Sequence, residues 1–457
     1  MDKKNKLVQQ FMRWVFRGLF MLAIMGCDGF LEVKPDQSLV VPTTLEDVQA
    51  LLDNTDVFNS QPALPLISSE EVWISDEGYA GLRNPVEQEA YTWADDPFLG
   101  GYAGDWENVY EQVFYANVAL EVLQDYEGEE DNLYNELLGT ALFFRSYAYL
   151  QLVSQFAPPY QKEGANSHDL GIVLKETADV NEQIRRSTLG ESYSRIVGDL
   201  NRAQELLPER NDPKTRPSKA AALGVLSRVH LMVYDYSQAA TSASRALELY
   251  TSRMDLNTID VNASRPFERF NAETIFYSTL YSYSFMRSNQ VFVDSTLTGL
   301  YGDGDLRVPA FYDENPSGGY NYTGKLSGNT SNFGGLTVGE LFLNAAEGFA
   351  RIGEEEKAKQ YLNSLLALRY EKSKWKPLGQ LGQKELLERV LEERRKELIG
   401  RGLRWTDLRR LNQEGAGIVL TRIINGQKYT LSPNSGKYTF PIPEDEVSRS
   451  GITQNNR

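Results

Sequence analysis

Apolar positions in TTLEDVQALLDN fall at Leu45, Val48, Leu51 and Leu52, the spacing of one helical face, with Thr43 or Thr44 placed to cap it. The same period continues downstream. Residues 105–126, DWENVYEQVFYANVALEVLQDY, hold Val109, Val113, Ala116 and Leu120 on one stripe. Residues 134–160, YNELLGTALFFRSYAYLQLVSQFAPPY, predict a second long helix. Pro158 and Pro159 stop it, since proline lacks the helical N–H and its ring clashes with the preceding turn. The runs TLGESYSRIVGDLNRAQELLPE and RPSKAAALGVLSRVHLMVYDYSQAATSASRALELY continue as helical pairs. By contrast, residues 69–104 mix glycine, proline and aromatic side chains without a period, which predicts loop.

Two segments carry small and apolar residues at the spacing of tetratricopeptide-type helix pairs. One has Leu223, Ser227, Tyr234, Ala239 and Ala246; the other has Phe342, Ala346, Phe349, Gly353, Ala358 and Leu365. Small residues at such positions let antiparallel helices approach closely. Ala239 and Ala358 lie 119 residues apart, which is not a multiple of about 34. A long insert therefore separates the two pairs. It covers roughly 252–335 and is rich in Tyr, Asn, Ser, Gly and Thr. A segment this long is functional or disordered, and its aromatics argue against disorder. The expected plan is a helical repeat region over 43–251, the insert over 252–335, a second helical region over 336–413 and an extended segment over 414–457. Residues 43–457 are expected to form one compact unit.

Composition adds a core and a compartment. The chain has 457 residues, 41% hydrophobic and 11% aromatic, enough to bury a sizeable core. Lys3, Lys4, Lys6, Arg13 and Arg17 precede a short apolar stretch, GLFMLAIMG, that is too short to span a membrane. Cys27, the one cysteine, follows directly. This arrangement resembles a bacterial lipobox. It implies a signal peptide over 1–26, a lipidated Cys27 and a tether over 27–42. An ordinary buried cysteine has no reason to sit at the end of an apolar leader. Acyl chains contribute about 0.8 kcal/mol per buried methylene, so two or three anchor a protein stably. Asp28, Glu32 and Asp36 in the tether are either a surface-export address or simple solvation.

Residues 1–26 carry five basic side chains and one acid, so the chain from Cys27 onward has a formal charge of -20 against -16 for the whole. Such a surface repels nucleic acid, whose binding depends on neutralising phosphates. A lone cysteine excludes an intramolecular disulfide.

Six stretches in order carry a family resemblance: CDGFLEVKPDQ, DWENVYEQVFYANVALE, GTALFFRSYAYLQLVSQFAPPY, VGELFLNAAEGFARIG, LEERRKELIGRGLRWTDLRRLN and YTFPIPEDEVSRSGITQNN. Each is weak alone; together they resemble the SusD/RagB family of outer-membrane nutrient-binding lipoproteins. The resemblance implies a mostly α fold, with tetratricopeptide-like helical pairs and long irregular loop insertions. It implies a lipid-anchored position at the outer membrane, exposed at the cell surface, and a SusC-type TonB-dependent transporter as partner. It implies an oligosaccharide ligand, a peptide in some relatives. One departure stands out. Where the family often has an arginine three residues before the first glutamate of the VGELFLNAAE helix, this chain has Thr337, with Glu340 and Glu347 retained.

Signals for catalysis are poor, and no cofactor or metal is expected. His168 and His230 are far apart in sequence, and no cysteine–histidine spacing suggests a metal. Nucleophile-elbow and phosphate-loop motifs are absent. Asp303 and Asp305 lie in GDGD, which lacks calcium-loop spacing and reads as a turn. Local sequence leaves a carboxylate dyad open. Binding signals are better. A flat ring stacks on the C–H face of a sugar while polar side chains bond its hydroxyl rim. Candidate rings are Trp73, Tyr79, Tyr91 and Trp93 in the first loop region, and Tyr281, Tyr283, Tyr320 and Tyr322 in the insert. Tyr320 and Tyr322 share a face if extended. Trp106 and Trp405 lie in helices and read as core. A peptide ligand and a helical scaffold for partner assembly remain the alternatives.

The stretch LEERRKELIGRGLRWTDLRRLNQ has seven basic and four acidic residues. Its period puts Leu387, Val390, Leu391 and Leu398 on one stripe with Arg394 among them. A buried arginine needs a carboxylate, so Glu340 or Glu347 is the expected partner. Glu393 and Glu397 are expected on the outer surface, and Gly400 and Gly402 at a break, with Thr406 capping the next helix.

Overall fold

The computed structural model describes residues 42–457 other than Glu163 and Ala165. Cys27, the leader and the tether lie outside the described residues.

Helix α1, Leu45–Leu52, starts at Thr44, whose side chain accepts from the Asp47 amide. Its apolar face packs on α2, Gly104–Gln124, and α3, Asn132–Phe156. Helix α3 is buried continuously from Gly139 to Leu150, so it is the central helix of the array rather than an amphipathic surface one. Arg145 falls inside that run. It donates to Asp199 at 2.8 and 3.0 Å and to Asn117 at 3.2 Å, which is how a charge is tolerated there. Neighbours in sequence continue as neighbours in space: α4, Leu189–Leu206, packs on α3, then α5, Lys219–Met232, on α4, and α6, Tyr236–Leu249, on α5.

Helix α6 then packs directly on α7, Val338–Arg351, although 88 residues separate their facing ends. The insert interrupts the sequence of the helical array, not its spatial order. Gly348 makes the contact close: a Cβ there would lie 2.6 Å from the Tyr236 carbonyl oxygen and 2.8 Å from the Ala240 nitrogen. Helix α8, Glu355–Leu366, completes the second pair, and α9, Gln383–Glu397, packs across α7. Helix α10 is Arg404–Gln413 and α11 is Glu444–Ser450. The fold is mostly helical, and the strands among the described residues form two-stranded pairs.

The segment 252–335 is an ordered body with a small core of its own. Phe267, Tyr277, Phe311, Tyr312, Tyr322 and Phe333 pack together and close on Ile399 of the turn after α9. Buried charges fasten this body to the helices. Arg307, fully buried, bonds Asp305 at 2.7 Å, Glu393 at 2.5 Å and Glu397 at 3.3 Å. Arg369 bridges Glu273 and Glu397 at 2.8 Å each.

Four local expectations are corrected. Arg394 is buried, but its partners are Asp407 at 2.8 Å and Asn344 at 2.6 Å. Glu340 is held instead by Arg228 and Arg401, and Glu347 by Arg410 and Arg351. Burial would raise the Glu347 carboxyl, yet Arg410 and Arg351 overcome it and hold it at about 2. Glu393 and Glu397 face inward, because Arg307 of the insert and Arg369 of the segment after α8 supply cations that a linear reading does not place. Gly400 and Gly402 do break the chain at φ +74 and +71, but α10 restarts at Arg404, ahead of Thr406. Finally, 69–104 and 414–457 are not featureless. The first holds a strand, Val72–Ile74, and two short helices, Asp76–Ala80 and Pro85–Tyr91. The second holds a hairpin, Leu420–Ile424 with Gln427–Leu431, and α11.

Thr337 has a role that the missing arginine does not foretell. It caps α7 through the Glu340 amide and accepts from Arg401 at 3.0 Å.

Candidate functional site

The first turn of α2 forms one wall of a solvent-open cleft of about 670 Å³, within the range of small-ligand sites. Tyr102, 63% exposed, and Val180, 79% exposed, both line it. Below them, Trp106 packs 4.6 Å from Tyr110 and edge-on to Phe156 at 4.9 Å. Tyr110 is fixed in turn, since its hydroxyl donates to the Val173 carbonyl at 3.1 Å and accepts from the Val173 amide at 3.2 Å.

The loop before α2 explains how Tyr102 reaches solvent. Asp96 accepts from the Phe98 and Leu99 amides at 3.0 and 3.1 Å. Leu99 and Gly100 then take left-handed backbone at φ +53 and +67. Leucine rarely adopts that conformation, and strain of this kind clusters at binding sites. Leu99 is also 56% exposed. The Tyr102 hydroxyl bonds Asn108, which steadies the ring beside α2.

Asp105 anchors the other side of that turn. It is fully buried and accepts from the Ala63 and Leu64 amides at 2.9 Å each and from the Tyr283 hydroxyl at 2.9 Å. Burial pushes its carboxyl up to about 6, while those hydrogen bonds act the other way. Tyr281 lies alongside. Burial and then Asp105 raise its hydroxyl above the ordinary tyrosine range, with Tyr102 and Asn108 as further neighbours. Glu87 pins this stretch by accepting from the Ser284 and Phe285 amides at 3.0 and 2.7 Å. Glu107, Glu444, Asp445 and Glu446 make the rim acidic, with Lys175 and Arg449 as its cations. Lys175 pairs with Glu182 at 3.0 Å and Arg449 with Asp445 at 3.0 Å.

Residues 29–231 match the family model described as starch-binding associating with outer membrane, and residues 268–457 match that of the SusD family. The chain belongs to the SusD/RagB family. It is 24% identical to SusD-like protein P2 of Formosa agariphila, over 96% of this chain and 98% of that protein. Its fold is that of a SusD superfamily protein from Bacteroides thetaiotaomicron, with a TM-score of 0.74 at 19% identity, covering 91% of this chain and all of that one. A surface glycan-binding protein A from Bacteroides fluxus has a TM-score of 0.70 at 19% identity, covering 91% of this chain and 99% of that one.

The aromatic candidates divide by burial. Trp73 is 45% exposed, with its other face stacked on Phe292 at 4.6 Å. Tyr79 is half-buried against Tyr91, and Tyr281 and Tyr283 are half-buried beside Asp105. Three candidates are corrected to core. Tyr91 and Trp93 are buried on the Arg422 guanidinium, 3.7 and 4.5 Å from their ring centres. Tyr322 is buried against Phe311 and Tyr312. Tyr320, half-buried, also faces Tyr312 at 5.9 Å. The alternation expected for Tyr320 and Tyr322 therefore holds, but their shared face is the inner one.

Tyr102, Trp106 and Tyr110 were not among the candidates. Trp106 is buried as a core residue would be, yet it lines the cleft. The available signal was GGYAGDW, two glycines and an aromatic just before a helix start. Trp405 is core, packed on Tyr438 at 4.8 Å. His168 is exposed, and burial lowers the His230 imidazole below its ordinary value. Asp305 belongs to the Arg307 ion pair, and Asp303 pairs with Lys374 at 2.8 Å. Among the described residues no three His, Cys, Asp or Glu are grouped to hold a metal ion, and no helix is long and apolar enough to cross a membrane.

Proposed function

We propose that this protein is a cell-surface lipoprotein that captures oligosaccharides and passes them to a SusC-type TonB-dependent transporter, without covalent chemistry. Cys27 carries the lipid in this reading. The observation that supports it most is the cleft in a SusD-family chain. Tyr102 offers an exposed ring in a cleft that polar side chains also line, which suits a sugar's C–H face and hydroxyl rim. Asn108 orients the ring, and the acidic rim offers acceptors to hydroxyl groups. Capture followed by handover needs only reversible contacts, so no acid–base pair is required.

Isothermal titration of the protein against a panel of oligosaccharides and peptides tests the ligand class. Saccharide binding that weakens about tenfold in Tyr102→Ala, with unchanged thermal stability, is expected. Binding to peptides and to no saccharide would reverse the class. Copurification of the transporter with the lipoprotein, and release of Cys27→Ala from the membrane fraction, test the partner and the anchor.

A further inference from the structure

We propose that a second, ring-free subsite adjoins the cleft and that the ligand is an extended, uncharged oligosaccharide lying across both. This rests on the reading of the cleft as the saccharide site. A second solvent-open cavity of about 930 Å³ lies beside it, and the two share Val173, Lys175 and Ile184 as a common wall. Lys175 and Ile184 of that wall are only half-buried, and in this proposal a chain too long for the cleft runs over them.

The partition is built, not loose. It is the segment between the strands Leu170–Val173 and Arg186–Thr188. Asn117 of α2 donates to the Lys175 and Thr177 carbonyls at 2.8 and 3.2 Å, and Glu121 accepts from the Ala178 amide at 2.7 Å. Thr177 donates to Glu182 at 2.9 Å, so the segment also closes on itself. A low, fixed ridge can seat a chain where a mobile one could not hold its register.

The two sides differ in the way a sugar chain needs. The cleft has rings. The second cavity has none among its lining residues; it has Thr177, Gln183 and Ser194, whose polar groups suit hydroxyl partners. Its three cations, Lys175, Arg185 and Arg195, are outnumbered by Glu176, Glu182, Glu191 and Asp199; Lys175 pairs with Glu182 and Arg195 with Glu176, while the exposed Arg185 lies 4.0 Å from Glu191. The lining is net acidic, which disfavours a sulfated or carboxylated chain, so the groove suits an uncharged one.

Gly198 of α4 gives a clean block. It lines the second cavity, and a Cβ there would meet nothing within 4 Å. Gly198→Trp places a ring in the groove from an exposed position, and Ser194→Phe does so from an exposed neighbouring one. The probes are malto-, cello-, xylo-, manno- and galacto-oligosaccharide ladders, read by titration calorimetry. For the ladder that binds, affinity of the parent should rise at least about tenfold once the chain outgrows the cleft. Both groove variants should bind short members like the parent and lose the gain for long ones. Affinity independent of length, or parent-like binding of long members by both variants, would overturn the second subsite. Binding of no ladder, or unchanged binding in Tyr102→Ala, would instead overturn the cleft itself and the inference with it.

Discussion

Arg228 on α5 and Glu340 on α7 are joined by hydrogen bonds of 2.8 and 2.9 Å, with both side chains buried. Arg401, from the turn after α9, reaches the same carboxylate at 3.0 Å. One acid thus holds cations from two separate elements. Burial acts to raise its pKa, but Arg228 and Arg401 keep it below the ordinary glutamate value.

Glu340→Gln should therefore destabilise the fold by about 3–5 kcal/mol, since it leaves two buried guanidinium groups without a counter-charge. Urea unfolding checks this. A midpoint within experimental error of the parent would mean that the arginines find other partners.

Gly348→Ala and Gly198→Ala should act in opposite directions. At 348 the new Cβ meets the Tyr236 carbonyl and the Ala240 backbone, which should cost roughly 1–3 kcal/mol. At 198 it meets nothing, and alanine should stabilise α4 by about 0.5–1 kcal/mol. Thermal unfolding of the pair separates close helix approach from glycine flexibility.

Glu71 should make stability fall as pH rises. Burial first, and the neighbouring Glu70 next, raise its carboxyl from 4.5 to about 8. Between those values the folded state binds a proton that the unfolded state has lost. Its contribution is complete below about 4.5 and declines toward 8, by at most about 1.4 kcal/mol per pH unit. Glu71→Gln, uncharged throughout, should gain on the parent across that window and lose the advantage in acid. Glu347 works the other way: with a folded value of about 2, its contribution is present above 4.5 and is lost as pH falls toward 2. Denaturation midpoints at stepped pH distinguish the two, and a Glu71→Gln profile parallel to the parent's would refute the first.

Arg422→Ala should loosen the edge of the fold near the first loop region. Its guanidinium lies between Tyr91 and Trp93 and donates to the Ile67 and Ser69 carbonyls at 2.9 and 2.6 Å. Unpaired carbonyls and lost stacking should cost about 3 kcal/mol. Limited proteolysis should then cut sooner near the hairpin 420–431. Unchanged digestion would show that the hairpin is held by its apolar face alone.

The helical array was legible because burial in α1, α2, α6 and α8 follows a 3.6-residue period, whereas α3, α5 and α7 are buried almost all round. Arg394 shows the limit of that reading. Its burial follows from the stripe on α9, but its partner Asp407 lies beyond a glycine break whose geometry no periodicity describes. Glu393 and Glu397 fail for a related reason, as Arg307 and Arg369 reach them from other segments. Among the aromatics, ring type says nothing about direction. Trp93 and Trp73 are both tryptophans in aperiodic sequence, yet Arg422, more than three hundred positions away, covers one while the other stays half exposed. Tyr102 was missed because its exposure comes from the left-handed Leu99 and Gly100, a backbone event with no hydrophobic signature.

The junction of α6 with α7 has an architectural consequence. The body between them leaves and rejoins the array at adjacent points. Its neck is fixed there by Tyr250, which donates to the Thr274 carbonyl at 2.9 Å, and by the Val338 amide, which donates to the Glu273 carbonyl at 3.0 Å. Closing such a neck depends only logarithmically on what it encloses, about 0.6 kcal/mol for each doubling of length. The helices thus behave as a chassis in which the length enclosed by the neck can change, provided that Arg307 with Glu393 and Glu397, and Arg369 with Glu273, still seat the body.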